Sequence, residues 1–212
     1  MVAPLVRVSI AAGGERQLVQ AGIHVTYLSA DGRAKAGLRR SDGSPAPARK
    51  FFGEARGAAF LLTDLDGPGP LIVGEGLETV WAVAGRFAAA GKHFRALATL
   101  SLANLQGSPL VHRDKGAFRL DAPRSDPDRL PFVVADAGDV IIAIDSDMAP
   151  VKARVCLSRR SPPVVRLLSS IERAELCGAL ASQAWTRAGA ASVRIMRPRI
   201  GQDFNDAVRD ML

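Results

Sequence analysis

Cysteine is almost absent from this chain: Cys156 and Cys177 are the only two, and they form no CxxC pair. That excludes a disulfide framework and a cysteine-rich zinc site, and it fits a reduced, cytoplasmic setting. Long apolar runs are also missing. None approaches the roughly 20 residues of a membrane-spanning helix, so no membrane partner is expected. Met1 to Ile10 is apolar but lacks the layout of a signal peptide. A phosphate-binding P-loop is lacking as well. Gly91-Lys92-His93 has no Ser or Thr after the lysine and follows a predicted helix instead of opening one, so no helicase motor is evident. Gly74-x-Gly76 starts a dinucleotide fingerprint, but Thr79 stands where its third glycine belongs. His24, His93 and His112 are scattered, and Ser146 has no obvious histidine partner, which argues against a hydrolase nucleophile.

What is present describes a folded, basic protein. At 212 residues the chain suits one domain, or one domain with a small appendage. Hydrophobic content of 48% against 23% charged excludes wholesale disorder. The formal charge is +7 and the basic residues are mostly arginine, whose planar fork matches phosphate geometry. A polyanionic partner is one reading, and a solvated basic surface is the other.

Residues 1–69 read as a β-rich N-terminal appendage. Val6 to Ile10, Ile23 to Leu28, Phe51-Phe52 and Ala58 to Leu62 suit strands, with a Gly13-Gly14 break and a turn at Asp31-Gly32. Gly37 to Lys50 reads as a basic loop. Gly67-Pro68-Gly69-Pro70 marks a boundary. From Leu71 strands and helices alternate, which predicts a mainly parallel sheet covered on both faces. Strands are expected at Leu71 to Val73, Arg95 to Leu100, Val140 to Ile144 and Ser192 to Met196. Helices are expected over 77–90 and 171–188, with a short one running to Leu212. Ser101 to Gly107 reads as a loop. Insertions at about 108–139 and 150–170 interrupt this 70–212 domain, the second of them basic and broken by Pro162-Pro163.

Two stretches carry the chemistry. Leu71 to Val73 runs into Gly74-Glu75-Gly76, which puts a carboxylate at the carboxyl edge of a sheet, where open α/β sheets bind ligands. Val140 to Ile144 ends directly at Asp145-Ser146-Asp147. Carboxylates two apart at a strand end repel unless a cation lies between them, and their hard oxygens suit Mg²⁺ or Mn²⁺. Solvated loop acids are the plainer alternative. Asp203 and Asp206, in Gly201-Gln202-Asp203-Phe204-Asn205-Asp206, either complete the acidic pocket or serve as loop and cap residues. Arg39, Arg40, Arg49 and Lys50, with Lys152, Arg154, Arg159 and Arg160, either line a nucleic-acid phosphate track or belong to solvated loops.

Leu71 to Glu78 and Val140 to Asp147 resemble the two signature motifs of the Toprim domain, in the primase-like form found in phages and plasmids. The resemblance covers roughly residues 71–212, and Gly22 to Leu62 is similar to the lead-in segment of those proteins. It implies a mainly parallel sheet of about four strands flanked by helices. It also implies that Glu75 is a general acid/base beside the metal and that Asp145 and Asp147 hold the metal. Glu78 falls near an acidic position of primase-like members and the Asp203 loop resembles their last acidic loop, so Glu75, Glu78 and Asp203 are expected to join Asp145 and Asp147 as metal residues. The implied activity is Mg²⁺- or Mn²⁺-dependent nucleotidyl transfer in DNA replication, with a single-stranded DNA template and nucleoside triphosphates as partners. No zinc module precedes the domain and residues 1–69 are too few for a primase catalytic body, so a replication helicase or another primase subunit is an expected partner. Two rival readings use the same residues: a metal-dependent DNA nuclease, and a non-catalytic DNA-binding accessory subunit.

Overall fold

The structure, a computed structural model, describes residues 1–12 and 15–204. The Gly13-Gly14 break, Asp206 and the final helix expected up to Leu212 lie outside the described residues. The chain is α/β and divides into two compact units, Met1–Phe60 and Leu61–Leu212.

In the first unit β1 (Val2–Ile10), β2 (Arg16–Thr26) and β3 (Arg49–Gly53) form an antiparallel sheet in the order β1-β2-β3. Ala3, Leu5, Ala58 and Ala59 are buried, and Val6 exchanges both backbone hydrogen bonds with Ala59 at 2.9 Å. The expected basic loop over 37–50 is only partly a loop, because Arg49 and Lys50 belong to β3. Their backbones pair with Thr26 and Val25. That pairing supplies the ladder hydrogen bonds which propensity alone did not call for in so basic a stretch.

In the second unit a five-stranded sheet has the order β11-β8-β5-β6-β4. Its members are β4 (Phe60–Leu61, on the boundary between units), β5 (Leu71–Gly74), β6 (Arg95–Ala98), β8 (Asp139–Ala143) and β11 (Ser192–Met196). The β5/β6, β5/β8 and β8/β11 pairs are parallel. The central strands are buried except for Asp139 at the start of β8, because helices cover the sheet, which is why Leu71–Gly74 and Val140–Ala143 are continuous apolar runs. The sheet has five strands where about four were expected, and the N-terminal sheet is antiparallel.

Helix α1 (Leu77–Ala89) starts where the apolar spacing predicts and buries Leu77, Val80, Val83 and Ala84. It begins close against β5 because Gly74 has no side chain: a Cβ there would lie 2.9 Å from Val80 Cγ2 and 3.3 Å from the Ala143 carbonyl. Helix α3 (Ser170–Arg187) opens with a capping box, in which the Ser169 hydroxyl accepts from Glu172 N–H and the Glu172 carboxylate accepts from Ser169 N–H. It buries Cys177, Leu180, Ala181 and Trp185.

Two elements differ from the sequence reading. Residues 102–106 form a short helix, α2 (Leu102–Gln106), because Ser101 caps Asn104 N–H and the Asn104 side chain donates to the Thr99 carbonyl. The stretch over 150–170, expected as a Pro-broken insertion, contains an antiparallel hairpin of β9 (Val151–Cys156) and β10 (Val164–Leu168). Pro162 and Pro163 lie in the connection, where no ladder donor is needed. β7 (Phe118–Arg119) adds to β9 in parallel, and Phe118, Val155 and Leu168 close on Leu176 and Leu180 of α3. No helix among the described residues is long and apolar enough to cross a membrane.

Candidate functional site

The parallel register brings the ends of β5 and β8 side by side, with Gly74 opposite Ala143. Glu75 and Asp145 both follow closely on these strand ends. They line one cleft of about 290 Å³ together with Asp147, and Leu102, Leu105 and Met148 form part of its apolar wall. Residues 70 positions apart in the chain thus share one carboxyl edge of the sheet.

Asp145 is held at two points. Its Oδ2 accepts from Thr79 Oγ1 at 2.7 Å, and its Oδ1 accepts from the Phe204 backbone N–H at 3.2 Å. Burial pushes its carboxyl above the usual range. The Thr79 and Phe204 hydrogen bonds pull it down, while the charges of Asp147 and Asp203 push it up again. Removal from water and like charges both disfavour the ionised form. Asp147 is exposed at the rim. Between them the Ser146 N–H donates to the Gln202 carbonyl at 3.1 Å and its hydroxyl to the Pro198 carbonyl at 3.3 Å. These contacts anchor the Asp145–Asp147 turn to the stretch after β11.

Behind Glu75 the backbone is also constrained. Leu100 occupies the left-handed region at φ 60°, a conformation that costs a leucine roughly 1 kcal/mol or more. Its N–H donates to the Glu75 carbonyl at 2.8 Å, and the Thr99 N–H donates to the Gly74 carbonyl at 2.9 Å. The β6 chain therefore continues along the turn that carries Glu75 and fixes its position.

The other residues expected at the site lie around this cleft. Glu78 is half-buried in the first turn of α1, and Asp203 acts on Asp145 through its charge. Neither lines the cleft. Among the described residues no three His, Cys, Asp or Glu side chains gather closely enough to make an all-protein metal cage. The donor set still fits Mg²⁺ or Mn²⁺, because Mg²⁺ takes one or two carboxylates and completes its shell with water and substrate phosphate. Asp145 and Asp147 are the residues that would hold it.

Sequence reasoning missed three contributors. In the sequence Thr79 stands out only by taking the place of a fingerprint glycine, although a hydroxyl in the first turn of α1 is well placed to face the strand ends. The Phe204 N–H left no signal, since a backbone donor is invisible in sequence. Arg173 of α3 lines the cleft and its guanidinium donates to the Ala149 carbonyl, a position that only helix packing could reveal.

The basic residues are distributed over both units. In the first, Arg39 Nη1 donates to Gly43 O at 2.9 Å, Arg40 Nη1 to Ser44 Oγ at 3.2 Å, and Lys50 Nζ stands 5.8 Å from the Tyr27 ring centre. In the second unit Lys152 and Arg154 are exposed on β9, opposite Leu167 and Val165 of β10. Arg159 and Arg160 are exposed in the turn between those strands. No protein family, curated protein or solved structure matches this chain.

Proposed function

We propose that the chain is a Toprim-type nucleic-acid protein that performs primase-like nucleotidyl transfer with Mg²⁺ or Mn²⁺. Its substrates are nucleoside triphosphates and a single-stranded DNA template, and a replication helicase or second primase subunit is its partner. The observation that carries this reading is the convergence of Glu75, Asp145 and Asp147 on one cleft at the carboxyl ends of β5 and β8. Three acids in a positively charged protein call for a cationic ligand, and phosphoryl transfer is the chemistry for which hard cations are commonly recruited.

Asp145 and Asp147 would hold a divalent cation, which would supply charge neutralisation for a nucleotide's phosphates. The chain's own residues do the rest. Thr79 and the Phe204 N–H orient the Asp145 carboxylate, Glu75 accepts the proton of the primer 3′-hydroxyl as its oxygen bonds to the α-phosphorus and pyrophosphate leaves, and Arg173 offers a positive charge to a phosphate oxygen.

Primer synthesis and nicking of supercoiled DNA, assayed side by side with Mn²⁺, test this reading. Incorporation by the parent chain should be lost in Glu75→Gln and in the Asp145→Asn/Asp147→Asn double variant. Combining the lesions should cost no more than either alone, because both disable one unit. Glu75-dependent cleavage without incorporation would replace the proposal with the nuclease reading. Neither activity, with biological function kept by Glu75→Gln, would leave the accessory subunit.

A further inference from the structure

A second cleft, of about 490 Å³, lies in the same unit between the 110–124 segment and the β9–β10 turn. Lys115, Arg119, Arg124 and Arg159 line it with His112, and Asp114 is the one carboxylate on its wall. It shares no lining residue with the acidic cleft. Its charge is the opposite, and the functional reading above makes no use of it.

Hydrogen bonds within the chain shape the cleft. Leu110 N–H donates to the Arg124 carbonyl at 2.7 Å, His112 N–H to the Ala117 carbonyl at 3.0 Å, and Leu120 N–H to the Cys156 carbonyl at 2.9 Å. Those bonds fold the ribbon on itself and join it to β9. Lys115 Nζ donates to the Arg159 carbonyl at 3.3 Å and ties the ribbon to the turn. Arg119 is oriented by a two-point contact with Asp121, Nε to Oδ1 at 3.0 Å and Nη2 to Oδ2 at 2.7 Å. Arg124 and Arg159 are exposed at the opening.

From this geometry we infer that the cleft binds a small oligophosphate: the di- or triphosphate tail of a nucleotide, or the free inorganic chain. Cations converging on one concavity from separate segments suit several charges held close together, whereas an extended backbone needs a track. The volume is in the range of small-ligand sites. Among the lining residues the His112 ring is the only aromatic one and no Phe, Tyr or Trp is present, so there is little on which to stack a base. The phosphates are what the cleft reads. This inference does not depend on the acidic cleft.

Calorimetric titration of the full chain at low salt in EDTA tests it, because chelation silences any cation-dependent binding at Asp145 and Asp147. The probes are inorganic tripolyphosphate, adenosine triphosphate and a single-stranded DNA oligonucleotide. Tripolyphosphate should bind, and Arg124→Ala and Arg159→Ala should each weaken it roughly tenfold. Arg124→Lys/Arg159→Lys should recover part of the loss, since charge returns without the fork. Both arginines are exposed, and unchanged circular dichroism would show that the fold is intact. Equal affinity for the first two probes assigns the site to phosphates alone, and tighter binding of the nucleotide assigns it to nucleotides. No binding of either, binding indifferent to both alanine variants, or binding of the oligonucleotide alone would overturn the inference. Failure of primer synthesis would leave it standing.

Discussion

Asp145 shows how one carboxylate becomes expensive to bury and is then stabilised. It is half-buried beside two other acids and accepts hydrogen bonds from Thr79 Oγ1 and the Phe204 N–H. A hydrogen bond to a charged group contributes about 1.5–3 kcal/mol. Thr79→Val keeps the side-chain shape and removes the donor, so it should lower unfolding free energy by about that amount, whereas Thr79→Ser should retain most of it. Urea denaturation of the three proteins measures the difference, and equal stabilities for Val and Ser would refute the role. Cys177 offers a pH test. Burial, then the charge of Glu75, pushes its thiol from an ordinary 9.0 up to about 12. Below pH 9 the thiol is protonated in both states. Above it the unfolded chain releases the proton and the native chain retains it, so this group's contribution to stability is lost as pH rises from 9 toward 12. One pH unit above 9, the parent should have lost about 1 kcal/mol more than Cys177→Ala has over the same interval. Parallel pH dependences for the two proteins would show that the thiol titrates normally.

Helix α3 is the element on which the second unit's two sheets depend. One part of its buried surface meets the β7–β9–β10 sheet through Leu176 and Leu180. Near its middle, Gly178 allows close approach to β8 and β11: a Cβ there would come 2.7 Å from Ile195 Cδ1 and 3.3 Å from Ile144 Cδ1. Those atoms are the ends of side chains that can rotate aside, so Gly178→Ala should change stability by no more than about 1 kcal/mol, the gain in helix propensity offsetting a small repacking. Thermal unfolding reads this directly, and a loss of several kcal/mol would mean that those side chains cannot move aside. The same helix carries Arg173 to the acidic cleft.

At the scale of the whole molecule, the proposed function predicts DNA binding that weakens with salt. Replacing Lys152, Arg154, Arg159 and Arg160 with Ala should lower the slope of log affinity against log salt by about 0.7–0.9 for each phosphate no longer neutralised. Affinity measured across salt concentrations checks this, and an unchanged slope would exclude these side chains from the interface. Much of the molecule was legible in the sequence because each signal was local. The apolar runs of β5 and β8, the spacing of α1 and α3, and the acids placed just past two strand ends could all be read from neighbours in the chain. The β9–β10 hairpin could not, because exposed Val165 and Leu167 and the Pro162-Pro163 pair hide a strand pairing whose buried side is supplied by Phe118 and α3. The same limit applies at the site. Composition and pattern determined that Glu75, Asp145 and Asp147 end strands of one α/β chain. Only tertiary structure decided that Thr79, Arg173 and the Phe204 N–H meet them, and that a separate basic cleft stands apart from them. Strand register and helix packing, which depend on residues far away in the chain, set those distances.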